Sequence, residues 1–267
     1  MSIQVNMIRE IESARIFMGY LLKQAILLGA DDTFIIANFA PSFKLDGKLV
    51  PQFADKLSAD QSKLMVYAIM NEHQRQIYDN EKEVNFAIGH PDGGRFRVNA
   101  YHEQGNCAMV LRKINLNVLT LADLKLPAVL AELAMERKGL ILVVGMTGSG
   151  KSTTLAAMLD HRNKNSYGHI LSIEDPVEFV HKHQNCIVSQ REVGVDTDCW
   201  QNAIKSALRQ APNVVLIGEI RDAEAMDYAL QFAETGHLCV ATIHATNSIQ
   251  AIERIVNLFP SEKHHQV

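Results

Sequence analysis

Residues 145–152 carry the residue types and spacing that most directly indicate chemistry. They read Gly-Met-Thr-Gly-Ser-Gly-Lys-Ser and match the pattern G-x-x-x-x-G-K-[S/T]. Glycines in such a loop leave backbone N–H groups free to surround an anion, and a following helix adds the positive end of its dipole. We expect Lys151 to reach the outer phosphates of a nucleotide and the Ser152 hydroxyl to bind Mg²⁺. The predicted nucleotide-binding residues are Gly145, Met146, Thr147, Gly148, Ser149, Gly150, Lys151, Ser152 and Thr153.

The segments on either side of this loop predict the elements that a phosphate loop requires. The apolar run Leu140–Val144 predicts a strand buried on both faces, and a helix-competent segment follows from Ser152 to Leu159. The alternative is that the loop pattern occurs by chance. A strand, a glycine-rich loop and a helix in this order argue against it. The sequence therefore predicts binding of a nucleoside triphosphate.

Two carboxylates are predicted to lie near this loop, each at the end of an apolar strand. Glu174 follows the strand 169–173, and Glu219 follows the strand 213–218, NVVLIG. Chemistry in open α/β sheets takes place at the carboxyl ends of the strands. We expect Glu174 to orient or deprotonate a water molecule and Glu219 to meet Mg²⁺ or its water, as in a Walker B element. Gly218 stands where many P-loop enzymes have an aspartate, and the alternative for Glu219 is an ordinary surface glutamate after a strand, although its place after the phosphate loop favours the functional interpretation. The alternative for Glu174 is a turn residue or a helix-cap contact.

His244 and three arginines have a functional and a structural interpretation each. His244 follows the strand 238–243 and could sense the γ-phosphate or simply make a structural hydrogen bond. Arg95 and Arg97 share one face of a strand, and Arg112 lies on the next strand. These guanidinium groups could reach triphosphate oxygens, or they could form a solvated sheet face.

The order of predicted elements divides the chain into two domains. Residues 1–114 read as α-β-β-α-β-β-β, which describes a small α+β domain with a mostly antiparallel sheet, and the predicted helix that begins after Ser58 runs to about Glu72. Residues 115–127 form a polar linker that ends at Pro127. Strands alternate with helices over residues 128–267, which predicts an α/β fold with a largely parallel sheet, a RecA-like ATPase core.

Composition and charge exclude several other classes of protein. The 26 Lys and Arg residues against 30 Asp and Glu residues give a net charge of −4, which argues against a nucleic-acid partner and a DNA motor. Four scattered cysteines without a C-x-x-C pair oppose a disulfide framework or a zinc site. No apolar run approaches the roughly 18 residues of a membrane span, so we expect a cytoplasmic protein.

Five motifs in order resemble the type II/IV secretion ATPase superfamily. They are GMTGSGKSTT, SIEDPVEFVH, LRQAPNVVLIGEIRD, AETGHLCVATIHATNS and AIERIVNLFP. Together with RFRVNAY and MVLRKI they make nearly the whole chain similar to the type IV pilus retraction ATPases, the PilT/PilU branch. The stretches DTFIIANFAPSFKLDGKLVP and FAETGHLC resemble PilU-type members more than PilT-type ones.

This resemblance implies an ATP-hydrolysing motor for type IV pilus retraction and twitching motility. It implies that Glu174 is the catalytic acid, that Glu219 is the Walker B residue on the Mg²⁺ side and that His244 lies in the His box. It also implies that Arg97 and Arg112 contact the phosphates of ATP from a PAS-like N-terminal domain. The implied partners are further copies in a hexamer, a paralogous retraction ATPase and an inner-membrane pilus platform protein, which would hold this cytoplasmic protein at the inner membrane.

Members of this family continue well beyond the position of Phe259-Pro260, whereas this sequence ends at Val267. We therefore expect its C-terminal part to be missing. Two alternative functions stay open at this point. One is a type IV secretion or other assembly ATPase of the same superfamily, and the other is a weakly hydrolysing accessory subunit of a retraction motor.

Overall fold

The computed structural model describes residues 4–114 and 117–260, and the chain divides into two compact units, Met1–Ile114 and Asn115–Val267. Residues 115 and 116 of the predicted linker and residues 261–267 of the predicted ATPase domain lie outside the described residues. Within the described ranges, no helix is long and apolar enough to cross a membrane.

Within residues 4–114 the first unit is an α+β fold in which three α-helices accompany an antiparallel sheet. The sheet has the strand order β3-β2-β1-β6-β5-β4. Large apolar side chains such as Phe17, Phe43 and Phe96 are buried in its core. The helices are α1 (Ile11–Leu28), α2 (Ala59–Ala68) and α3 (Glu72–Glu81), and the strands are β1 (Asp32–Ile35), β2 (Ser42–Leu45), β3 (Lys48–Pro51), β4 (Glu83–His90), β5 (Gly94–Glu103) and β6 (Asn106–Ile114).

The predicted order of elements in this unit is wrong in two places. The helix expected to run to about Glu72 ends at Ala68, and a separate helix, α3, begins after Asn71. The side chain of Asn71 accepts a hydrogen bond from the backbone N–H of Gln74, so it caps the new helix. The hairpin that Asp46-Gly47 predicts from the sequence is confirmed as the antiparallel pair β2 and β3, but the predicted order counts these two strands as one.

The second unit is a parallel sheet with helices, the α/β architecture that the sequence predicts. The strand order is β7-β11-β10-β8-β9, and every pairing is parallel. The strands are β7 (Gly139–Val144), β8 (Gly168–Glu174), β9 (Cys186–Glu192), β10 (Val214–Ile217) and β11 (Leu238–Ile243), and the helices are α4 (Val129–Ala134), α5 (Lys151–Asn165), α6 (Trp200–Ala207), α7 (Ala223–Glu234) and α8 (Ser248–Leu258).

The strand before the glycine-rich loop is not buried on both faces, so that prediction is wrong. Within the described residues β7 pairs only with β11, and all of its residues are half-buried. The middle strand of the sheet is β10, and its residues are all buried. An apolar run alone cannot distinguish an edge strand from a central one, because both carry Leu, Ile and Val.

Candidate active site

The glycine-rich loop joins the end of β7 to the first turn of α5, which begins at Lys151. Gly148 and Gly150 have φ angles of 76° and 90°, in the left-handed region that favours glycine. A Cβ atom on Gly145 would lie 2.4 Å from the Ser149 Oγ atom. The backbone of the loop therefore favours glycine at residues 148 and 150, and it leads directly into the N-terminus of α5.

The ammonium group of Lys151 lies at the mouth of this loop. Its Nζ atom donates hydrogen bonds to the carbonyl oxygens of Gly145 and Met146 at 2.9 and 3.0 Å, and it lies 3.5 Å from the Nδ1 atom of His244. Lys151 therefore lies against the loop itself, the position that the P-loop pattern predicts for a lysine that binds phosphates.

A cavity of about 430 Å³ opens at the carboxyl ends of the parallel strands. It brings together the loop and the three predicted side chains at the carboxyl ends of strands β8, β10 and β11, which are Glu174, Glu219 and His244. This volume and lining suit a phosphate-bearing ligand of nucleotide size. The residues that line it are Thr147, Gly148, Gly150, Lys151, Ser152, Thr153, Glu174, Asp175, Pro176, Glu178, Trp200, Gly218, Glu219, Thr242 and His244.

Glu174 is the last residue of β8, and its carboxyl group is held by donors on one oxygen. Ser172 Oγ donates to Glu174 Oε1 at 2.6 Å, and Gln190 Nε2 donates to the same atom at 3.2 Å. Desolvation raises the pKa of Glu174 to about 6, although these two hydrogen bonds act in the opposite direction. A carboxylate with a pKa near neutrality is suited to accept a proton from water.

Gly218, in the place of the usual Walker B aspartate, is explained by the backbone of the neighbouring strand. A Cβ atom at this position would lie 3.2 Å from both the Glu174 Cα atom and the Ile173 carbonyl oxygen. Gly218 is also fixed on both sides, since its N–H donates to Ile173 and its carbonyl oxygen accepts from the Thr242 hydroxyl. A side chain at residue 218 would therefore press on the backbone of Ile173 and Glu174, which would have to shift by a few tenths of an ångström.

We expect Gly218→Ala to lower nucleotide turnover by about tenfold to a hundredfold, because the added methyl group pushes the Glu174 backbone away from its position. Steady-state phosphate release measures this effect. Gly89→Ala is the matched control, since an added Cβ on this exposed strand residue meets nothing within 4 Å. Turnover of Gly218→Ala within about twofold of the wild type would show that this close approach does not position Glu174.

Glu219 and His244 lie in contact in the same cavity. Glu219 Oε1 lies 3.3 Å from the Nε2 atom of His244, and Glu219 Oε2 accepts a hydrogen bond from Arg221 Nε at 2.8 Å. Arg221 is also 3.6 Å from Asp175, so it links the residues that follow β8 and β10. These contacts hold the Glu219 carboxylate in place.

The donors present in this cavity fit a magnesium ion bound together with phosphates. The Ser152 hydroxyl and the Glu219 carboxylate both line it. Among the described residues there is no group of three or more His, Cys, Asp and Glu side chains that could hold a metal alone. Mg²⁺ commonly keeps several waters and takes few protein ligands when phosphates supply the others, which agrees with this small set of donors.

Arg97 and Arg112 belong to the first unit, where they lie directly opposite each other on β5 and β6. Arg112 Nε donates to the buried carboxylate of Asp32 at 2.8 Å, and this contact raises the pKa of Arg112. Lys44 lies 3.7 Å from the same carboxylate. Arg95 shares their face, and its Nε atom is buried without a hydrogen-bond partner in the described part of the chain. Both interpretations of these arginines, a phosphate contact and a solvated sheet face, stay predictions.

Sequence reasoning missed four side chains at or beside this cavity. Ser172 could have been found from its spacing, because residues two apart in a strand share a face and Glu174 is two residues further on. Arg221 follows Glu219 by two residues in the same motif. Trp200 and Gln190 gave no signal, since they reach the site only through the packing of α6 and the pairing of β9.

Comparison with known proteins gives a consistent family and fold. The family model described as type II/IV secretion system protein matches residues 10–264. The type IV pilus ATPase PilU of Pseudomonas aeruginosa is 52% identical over 247 residues, which cover 92% of this chain and 65% of that protein. The type IV pilus retraction ATPase PilT of the same organism is 43% identical, with 88% of this chain and 68% of that protein covered. The chain thus spans about two thirds of the length of these relatives.

Two solved structures share the fold along almost the whole chain. The pilus retraction motor PilT with bound ADP matches with a TM-score of 0.88 and 41% identity, covering 93% of this chain and 73% of that one. The ATPase DotB of Legionella pneumophila matches with a TM-score of 0.81 and 27% identity, covering 94% of this chain and 72% of that one. The predicted fold class, a P-loop ATPase core with a smaller α+β domain, is confirmed.

Proposed function

The chain belongs to the type II/IV secretion system protein family, and on that basis we propose that it is an ATP-hydrolysing motor that drives retraction of type IV pili. The observation that carries this proposal is the position of Glu174, which lines one cavity together with the phosphate loop. The names of the relatives support the biological role, since PilU is called a type IV pilus ATPase and PilT a retraction ATPase.

The phosphate loop would bind ATP and position its terminal phosphate. Backbone N–H groups of residues 145–153 and the start of α5 would hold the phosphate oxygens, with Lys151 turning from the carbonyls of the loop to the outer phosphates. Ser152 and Glu219 would hold Mg²⁺ or its water. Bound Mg²⁺ supplies positive charge that neutralises the β- and γ-phosphates as the terminal bond breaks.

Glu174 would then act on the attacking water. Its carboxylate accepts the proton of this water or fixes its direction of attack, which is the one task that an in-line phosphoryl transfer leaves to a base. His244 would report the state of the γ-phosphate, because it lies between Lys151 and Glu219. Arg97 and Arg112 of the first unit would contact the phosphates of the nucleotide, as the family resemblance implies.

The domain organisation and partners follow from the same proposal. Residues 1–114 would form the PAS-like domain, residues 115–127 the linker and residues 128–267 the ATPase domain. The protein would work as a homo-oligomer, a hexamer, beside a paralogous retraction ATPase. It would act in the cytoplasm on an inner-membrane platform protein, with no nucleic-acid partner.

Pilus withdrawal in living cells tests this role. We expect a strain that lacks this protein but keeps any paralogue to withdraw its pili more slowly or with less force, and we expect the wild-type gene but not the Glu174→Gln gene to restore withdrawal. Labelled pili observed by fluorescence microscopy give the measurement. Normal withdrawal together with a loss of protein export would contradict the proposal and indicate an assembly motor of the same family.

A further inference from the structure

Gln190 on β9 lies beside β8, the strand that ends in Glu174. In the parallel pairing of these strands Gln190 is opposite Ser172, and Glu192 is opposite Glu174. Its side chain therefore runs along the sheet toward the carboxyl group that faces the cavity. We propose that Gln190 is a positioning residue that fixes the Glu174 carboxyl group for its action on water, an inference that rests on the proposed function of Glu174.

The amide of Gln190 has one orientation that satisfies all of its neighbours. Its Nε2 atom donates to Glu174 Oε1 at 3.2 Å and to the Phe179 carbonyl oxygen at 2.8 Å. Its Oε1 atom accepts from the backbone N–H of His181 at 2.8 Å. A flipped amide would place oxygen against two oxygens and NH₂ against an N–H, so the network defines the orientation.

A second donor, Ser172, helps Gln190 to fix the orientation of the Glu174 carboxyl group. Ser172 is buried and donates to the same atom, Glu174 Oε1, from the same strand. Two donors that meet at one oxygen restrict rotation of the carboxyl group about its terminal bond. Ser172 acts from within β8, whereas Gln190 ties the carboxyl group to β9 and to the loop at Phe179 and His181.

Gln190 also favours the ionised form of Glu174. Its hydrogen bond lowers the pKa of Glu174, which desolvation raises, and the charge of the nearby Glu178 raises it as well. Four other charged or titratable side chains line the same cavity, namely Lys151 at the start of α5, Asp175 next to Glu174, Glu219 after β10 and His244 after β11. Removal of the Gln190 donor therefore raises the pKa of Glu174 and leaves less carboxylate at a given pH below neutrality.

Three variants distinguish the positioning of Glu174 from a purely structural role of Gln190 in β9. Gln190→Met has similar length and no hydrogen-bonding group. Gln190→Glu keeps an acceptor for His181 but loses the NH₂ donor to Glu174. Ser189→Ala is the matched control, because Ser189 lies on the opposite face of β9 and bonds to His169 at 2.9 Å.

We expect both Gln190 variants to lower kcat about tenfold while KM for ATP stays within about twofold, because both lose the hydrogen bond to the Glu174 carboxyl group. The loss of kcat in these variants should be on the order of threefold greater at about pH 6.5 than at about pH 8.5. The reason is that the raised pKa of Glu174 leaves less of its carboxylate form at the lower pH. MgADP affinity, measured by calorimetry, should stay at the wild-type value, and Ser189→Ala should keep wild-type turnover.

Two results would overturn this inference while leaving the proposed function intact. One is wild-type turnover in Gln190→Glu, which would show that the NH₂ donor is not needed. The other is an equal loss of turnover at both pH values together with weaker MgADP binding, which would show a structural role. Should Gln190→Met fail to fold, Gln190→Glu decides the question. By contrast, wild-type protein without ATP turnover, or Glu174→Gln with full turnover, would overturn the proposed function itself.

Discussion

Glu174→Gln is expected to reduce ATP turnover by about 10²- to 10⁴-fold while ATP binding is retained, since this is the range that a general base contributes. The substituted amide keeps the size and much of the hydrogen bonding of the carboxyl group but cannot accept a proton from water. The phosphate loop is separate in sequence and keeps its glycine geometry. Phosphate release and calorimetric ATP binding, measured on the same preparation, give the two values.

Glu253→Gln is the control for Glu174→Gln, because Glu253 is an exposed residue of α8 outside the cavity. We expect it to hydrolyse ATP at the wild-type rate. If Glu174→Gln instead kept turnover within about twofold of the wild type, a different group would have to act on the water.

Lys151→Ala is expected to lower turnover by at least about a hundredfold and also to weaken ATP binding. Lys151 is the one predicted loop residue whose charge can compensate the outer phosphates, and its ammonium group lies against Gly145 and Met146. Loss of this charge affects the bound substrate as well as the transition state. Lys151→Ala therefore differs from Glu174→Gln, which affects turnover alone.

Lys164→Ala is the control for Lys151→Ala, because Lys164 lies on the last turn of the same helix and pairs with Asp160 at 2.6 Å. We expect it to bind and hydrolyse ATP as the wild type does. Equal losses of ATP binding and hydrolysis in Lys151→Ala and Lys164→Ala would indicate that either substitution destabilises α5. The charge of Lys151 would then have no particular role.

The parts of the site that the sequence predicts are those set by local chemistry. Gly148 and Gly150 of the loop have φ angles that other residues avoid, so their spacing identifies the turn. Glu174, Glu219 and His244 each follow an apolar run, and parallel strands bring their carboxyl ends to one edge of the sheet. The sequence alone is therefore sufficient to predict that these three side chains lie close to one another.

The parts that the sequence does not predict depend on which strands are neighbours. Gln190 reaches Glu174 only because β9 pairs with β8 in a register that places residue 190 opposite Ser172. The glycine at residue 218 is explained only when the backbone of Glu174 is seen beside it. The half-buried state of β7 likewise follows from its place in the strand order, which an apolar run does not reveal.

The measurement that tests the central claim most directly is phosphate release with parallel ATP binding for wild-type, Glu174→Gln and Lys151→Ala proteins in the presence of Mg²⁺. We predict that the wild type binds ATP and releases phosphate, that Glu174→Gln binds ATP but releases phosphate at least about a hundredfold more slowly, and that Lys151→Ala is weakened in both binding and release. A Glu174→Gln protein that releases phosphate at the wild-type rate would contradict the claim that this carboxylate and the phosphate loop form one hydrolytic site.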